Sequence, residues 1–239
     1  SGCGKSTLLK ILCGIHRNYS GNVTFDGHPL NDLAGADIRI GYVPQNYGLL
    51  AWKTIRGNIL LPQKIKNLCG APPHTPLGEM ISPSPPRSHE QIITGLGLTD
   101  VLDRYPREVS GGQQQRAALA RAFALKPDLL LMDEPFSALD AFTAEKSQRL
   151  FLDLWRDFPV TTLFITHNMR EAALLGQRVL LMYGPPGRIA GSLDNPAFEA
   201  PNEEDGSANP AQPGEAVERE ALRLRLVAEM SEFFHEQTR

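Results

Sequence analysis

An α/β fold with a mostly parallel central sheet and an inserted helical lobe is predicted by three observations. Short apolar runs alternate with helical segments along residues 1–45 and 128–198. The runs at 129–132 and 161–165 read as strands buried on both faces of a sheet. Residues 46–127 are poor in strand signals and rich in helical ones, so they read as a separate lobe. At 239 residues the chain holds one large domain, or one plus a subdomain, at about 150 residues per domain.

Each element has a local reason. Residues 5–13 place Leu8, Leu9, Ile11 and Leu12 at helical spacing, and Gly14 ends the helix. Residues 23–25 read as a strand with Asp26-Gly27 as its turn, and 38–43 as a second strand ending at Pro44-Gln45. Residues 54–66 look helical, with Pro62 kinking or shortening the helix. Residues 70–87 hold six prolines and read as a loop. Helical spacing resumes over 88–98, with Ser88 as cap, and over 110–125. Residues 141–158 are an amphipathic helix, 169–175 a short one, 178–182 a strand and 188–192 an edge strand. Residues 199–216 are acidic and Pro-containing, a linker. Residues 217–236 regain helical periodicity, so 217–239 reads as a C-terminal helix.

Composition removes several classes. Hydrophobic residues at 41% and charged ones at 21% exclude a mostly disordered or collagen-like chain. No apolar run approaches the ~18 residues of a spanning helix. Net charge is −3, from 24 basic and 27 acidic residues, which argues against a global grip on nucleic acid. Three cysteines lack metal-ligand spacing, pointing to a reducing compartment.

Two motifs carry the chemistry. Ser1-Gly2-Cys3-Gly4-Lys5-Ser6-Thr7 matches the back half of a phosphate-binding loop, whose first glycine would precede Ser1 by two residues. Backbone N–H groups and the helix N-terminus would face phosphate oxygens, Lys5 would add charge, and the Ser6 hydroxyl would ligate Mg²⁺. The run 129–132 delivers Asp133 and Glu134 to the carboxyl end of a strand, where ligands of open α/β sheets bind. Asp133 would hold Mg²⁺ and Glu134 would polarise an attacking water. The plainer alternative is a strand followed by a polar turn.

Three further signals are weaker alone. Ser110-Gly111-Gly112-Gln113 at a helix start makes a second anion site, or simply a cap. Gln45 follows a strand, where its side chain could reach Mg²⁺ or the water. His167 follows the run 163–166, at the same end of the sheet as Glu134.

Taken in order, these motifs resemble those of the ATP-binding subunits of ABC transporters over residues 1–195. The loop at 1–7 resembles Walker A, Gln45 the Q-loop, and 109–116 the family signature with Val109 in place of Leu. Residues 129–134 resemble Walker B, 137–140 the D-loop, and His167 the switch histidine, followed by Asn168 where Asp is common. The wording around Leu49-Leu50-Ala51-Trp52, 133–143 and 184–189 is similar to nitrate, sulfonate and taurine import ATPases.

The resemblance implies a P-loop NTPase core at 1–45 and 128–198 around a helical signature lobe at 46–127, with the strands ahead of the loop lying before Ser1. It implies ATP and Mg²⁺ as ligands. Ser1–Thr7 and, from a partner, Ser110, Gly111, Gly112 and Gln113 would hold the nucleotide. Ser6, Gln45 and Asp133 would position the metal, and Glu134, His167 and Gln45 would act in hydrolysis. It implies a second ATP-binding subunit of the same kind, permease subunits receiving a coupling helix near 46–60, and indirectly a periplasmic binding protein. The place would be the cytoplasmic face of a bacterial inner membrane. The alternatives are a non-transport ABC ATPase, for whose long coil 5–110 leaves no room, and an inactive relic.

Overall fold

The computed structural model describes residues 3–25, 27–29, 38–69, 88–198 and 213–236. Asp26, the Pro-rich 70–87, the acidic 199–212 and the site candidates Ser1 and Gly2 lie outside the described residues. The chain divides into two compact units, residues 6–165 and residues 1–5 with 166–239.

Helix α1 (Lys5–Leu12) belongs to the larger unit from Ser6 onward, and in that unit strands β1 (Thr24–Phe25) and β2 (His28–Pro29) form a small antiparallel pair. Strand β3 (Ile40–Val43) is followed by helices α2 (Ile55–Ile59), α3 (Leu61–Cys69), α4 (His89–Gly95) and α5 (Gly111–Ala124). Then come β4 (Leu129–Asp133), α6 (Ala141–Asp157) and β5 (Thr161–Ile165). Strands β3, β4 and β5 form a parallel sheet with β4 in the centre. Leu130, Leu131 and Met132 of β4 have no exposed surface, as the continuous apolar run predicts. Each contributes about 1.5–3 kcal/mol of burial.

Helix α1 lays Leu9 on Leu131 and Ile165 of this sheet, with Leu12, Ile40 and Leu163 around them. Gly14, at φ +71°, ends it as expected, and the Ile15 N–H turns back to the Lys10 carbonyl at 2.9 Å. The expected helix over 54–66 is broken at Leu60. Thr54 caps α2, accepting from the Gly57 N–H at 3.1 Å, and Pro62 sits in the first turn of α3, where it loses no hydrogen bond. Phe123 of α5 and Phe151 of α6 pack with ring centroids 6.3 Å apart. The Trp155 indole N–H donates to the Val160 carbonyl at 2.8 Å, closing the link from α6 to β5.

Asn58 is fully buried and ties the turn 50–54. Its Oδ1 accepts from the Leu50 N–H at 2.7 Å, and its amide nitrogen lies within 3.1 Å of the Leu50, Lys53 and Thr54 carbonyls. The turn so fixed leaves Trp52 73% exposed, with Leu49 and Leu50 half-buried.

The smaller unit holds α7 (Met169–Leu175), the antiparallel hairpin β6 (Arg178–Tyr183) with β7 (Arg188–Asp194), and α8 (Pro213–Glu236). Leu226 and Met230 of α8 close a core with Ala173, Val179 and Leu181. Helix α8 begins at Pro213, not at Val217 as its apolar period indicates, so residues 213–216 are helical rather than linker. Proline is favoured in a first helical turn, so it opens this helix instead of breaking it. Among the described residues no helix is long and apolar enough to cross a membrane.

Candidate active site

The carboxyl ends of β3 and β4 bring together residues far apart in sequence. Asp133, the last residue of β4, is buried at 5% exposure, and its Oδ1 accepts from the Ser6 hydroxyl at 3.1 Å. Ser6 is on the first turn of α1, with Thr7 exposed beside it. Glu134 follows at φ +47°, a left-handed conformation costing a non-glycine residue about 1–3 kcal/mol. The neighbourhood holds it there. The Glu134 N–H donates to the Ile165 carbonyl at 2.9 Å, and its own carbonyl accepts from the Ser137 hydroxyl at 3.0 Å. Strain at this point redirects the chain out of the strand.

Gln45, just beyond β3, meets that side chain. Its Nε2 donates to Glu134 Oε2 at 3.3 Å. Ser6 thus meets Asp133, and Gln45, expected near Mg²⁺ or the attacking water, meets Glu134. Burial, then the Asp133 charge, push the Tyr42 phenol above its ordinary pKa.

The turn after Gln45 is held by a residue that sequence reading missed. Tyr47 and Gly48 are both left-handed, at φ +62° and +59°. Arg121 of α5 reaches both, Nη1 donating to the Gly48 carbonyl at 2.6 Å and Nη2 to the Tyr47 carbonyl at 2.7 Å. Burial lowers the pKa of its guanidinium. One signal was present, since Arg121 interrupts a stretch of buried Ala, Leu and Phe. A half-buried guanidinium there needs hydrogen-bond acceptors.

Ser110, Gly111, Gly112 and Gln113 open α5 as a capping box. Ser110 Oγ accepts from the Gln113 N–H at 3.3 Å, and Gln113 Oε1 accepts from the Ser110 N–H at 2.8 Å. In the smaller unit, Gly4 is left-handed at φ +95°, and the Lys5 amine donates to Cys3 Sγ at 3.3 Å. Burial pushes the Cys3 thiol up, but the hydrogen bond and charge of Lys5 more than offset it, leaving Cys3 below its ordinary pKa. His167 is exposed in the turn into α7. Asn168 caps that helix, its Oδ1 accepting from the Arg170 and Glu171 N–H groups, so it serves where Asp is common.

A hydroxyl and a carboxylate 3.1 Å apart are hard oxygen donors suited to Mg²⁺, which binds through one or two carboxylates, substrate phosphates and water. Ser6 and Asp133 therefore fit that ion.

Comparison with known proteins places the chain among its relatives. A family model described as ABC transporter matches residues 1–137. The nitrate import ATP-binding protein NrtD of Synechococcus elongatus is 39% identical over 209 residues, covering 86% of this chain and 70% of its own. The aliphatic sulfonates import ATP-binding protein SsuB 1 of Xanthomonas axonopodis is 38% identical, covering 88% and 77%. The taurine import ATP-binding protein TauB of Roseobacter denitrificans is 40% identical, covering 79% and 65%. Among solved structures, a post-hydrolysis dimer of an ATP-binding cassette bound to ADP and Pi is similar, with TM-score 0.62, 28% identity and coverage of 82% and 83%. With a family model over more than half its length and the Gln45–Glu134 and Ser6–Asp133 pairs in place, the chain belongs to the ABC transporter family as an ATP-binding, ATP-hydrolysing subunit.

Proposed function

We propose that this chain powers the uptake of a small anion, of the nitrate or sulfonate type, through a membrane permease. The pairing of Gln45 with Glu134 at the ends of adjacent strands carries the hydrolytic part of this reading. The relatives' names, nitrate, aliphatic sulfonates and taurine import, support the substrate class.

The residue roles follow from the chemistry. Lys5 and the N–H groups of the loop and of the first turn of α1 hold the phosphates of ATP. Ser6, Asp133 and Gln45 hold Mg²⁺, which when bound offsets the charge of the β- and γ-phosphates. The Glu134 carboxylate accepts a hydrogen bond from the attacking water, and Gln45 steadies that carboxylate. His167 contacts the γ-phosphate. Ser110–Gln113 offers the N-terminus of α5 to the nucleotide of a second copy, so ATP draws the copies together and hydrolysis releases them. The helical lobe 46–127 receives the permease. Trp52, Ala51, Tyr105, Arg107 and Glu108 line an open hollow there, with Trp52 and Tyr105 exposed, which suits an amphipathic segment. The peripheral place, at the cytoplasmic face of a bacterial inner membrane with a periplasmic binding protein beyond it, belongs to the same proposal.

The test is Glu134→Gln in the full chain. The variant should bind ATP, fail to hydrolyse it, and accumulate as an ATP-dependent dimer in light scattering. Hydrolysis at the wild-type rate would remove Glu134 from the mechanism. Uptake of labelled nitrate and taurine, in cells with and without the gene, tests the cargo. Unchanged uptake of both defeats that substrate class.

A further inference from the structure

The turn 137–140 and the turn 110–113 meet at one side chain. Asp140 caps α6, accepting from the Thr143 N–H at 3.0 Å, and the Thr143 hydroxyl bonds the same carboxylate. A threonine has few χ1 choices, so fixing its hydroxyl also fixes its γ-methyl. That methyl lies against α5. A Cβ added to Gly112 would stand only 2.6 Å from Thr143 Cγ2, and one added to Gly111 would stand 3.6 Å from Leu139 Cδ2. Both glycines of 110–113 thus face side chains at or next to 137–140. Rotating the methyl away would break the bond to Asp140, so the seat is stiff.

We propose that Thr143 is a positioning residue for ATP hydrolysis, its hydroxyl held by Asp140 and its γ-methyl seating Gly112. The turns 110–113 and 137–140 then keep one geometry. Thr143 touches no nucleotide. It sets how well Ser110–Gln113 is presented to the ATP of a second copy, and it leaves the loop around Lys5 alone. This rests on the reading of Ser110–Gln113 given above.

The test separates the two ends of the side chain. Thr143→Ser keeps the hydroxyl and removes the methyl, whereas Thr143→Val keeps the bulk and removes the hydroxyl. Each is placed in the full chain carrying Glu134→Gln, and the ATP concentration for half-maximal dimerisation is read by light scattering. Binding of a fluorescent ATP analogue is measured under dilution, where the chain is monomeric. Each variant should raise the dimerisation midpoint about three- to tenfold, as coupled neighbours do. Monomer affinity and melting temperature should stay at the parent's values, which a merely structural defect would not allow. A parental midpoint in either variant overturns the two-ended role. A change in monomer affinity equal to the midpoint shift overturns it as well. Ser110→Arg is the control and should abolish dimerisation. If it dimerises normally, the reading of 110–113 fails and the proposal with it. If it fails to dimerise while both Thr143 variants behave as the parent, only the proposal falls.

Discussion

The strand ends at 45–48 and 133–137 contrast with the turn at 50–54, although both lie in one unit. At the strand ends, polar side chains meet each other in pairs, and the left-handed residues Tyr47, Gly48 and Glu134 are pinned by hydrogen bonds. At 50–54 the polar work is done beneath the surface by Asn58, and an aromatic side chain is left outside. The first arrangement accepts strain to aim a carboxylate. The second spends a buried amide on a surface that does no chemistry. Substitutions at the strand ends should therefore change hydrolysis, and substitutions at 50–54 should change coupling to a partner.

The largest expected effect tests the first half of that contrast. Glu134→Gln should lower kcat by about 10²–10⁴-fold, the range of a lost proton acceptor, with ATP affinity retained. A comparable loss from Trp52→Ala would erase the contrast. Next comes Arg121→Met. Freed from its two carbonyl bonds, the turn after Gln45 should shift, and kcat should fall about ten- to a hundredfold with little change in KM. Steady-state kinetics at saturating ATP would show it, and an unchanged kcat would mean that Arg121 only packs.

Trp52→Ala should leave basal ATPase at the wild-type rate while abolishing permease-dependent uptake. Normal transport by that variant would show that the exposed indole is not a docking contact. The smallest effect distinguishes the two described cysteines. Burial pushes the Cys13 thiol up to about 11, while Cys3 lies below its ordinary value beside Lys5. Near neutral pH, Cys13 should hold about a hundredfold less thiolate than a free thiol, and iodoacetamide should label Cys3 first. Cys13 labelling should rise only as pH approaches its raised pKa. Peptide mass spectrometry after brief labelling reads both sites, and equal rates would contradict these shifts.

Much of the site was legible because its chemistry is local. The run 129–134 announces a buried strand ending in two acids, and Lys5-Ser6-Thr7 announces a helix start after a glycine turn. Pro62 and Gly14 marked real boundaries because their backbone limits act within one turn. What was not legible depends on distance or on conformation. Nothing in the residue type of Glu134 signals φ +47°, which the Ile165 carbonyl and the Ser137 hydroxyl enforce from outside. Arg121 bonds carbonyls 73 and 74 positions away. The strand at 23–25 was read, but its partner β2 is too short to show a period, and Pro29 disguises it. Pro213 misled for the opposite reason, since the same ring that stops a helix inside can start one.

The contrast between the two tryptophans gives the chain a built-in pair of reporters. Only Trp52 and Trp155 are present, the first in water and the second partly covered with its indole bonded to Val160. Their emission should therefore differ in colour, with Trp52 at the red end. A ligand that covers residues 50–54 would move the red component to the blue and shield it from iodide, without disturbing the other. Docking on this face can thus be followed in real time by intrinsic light, with no dye attached.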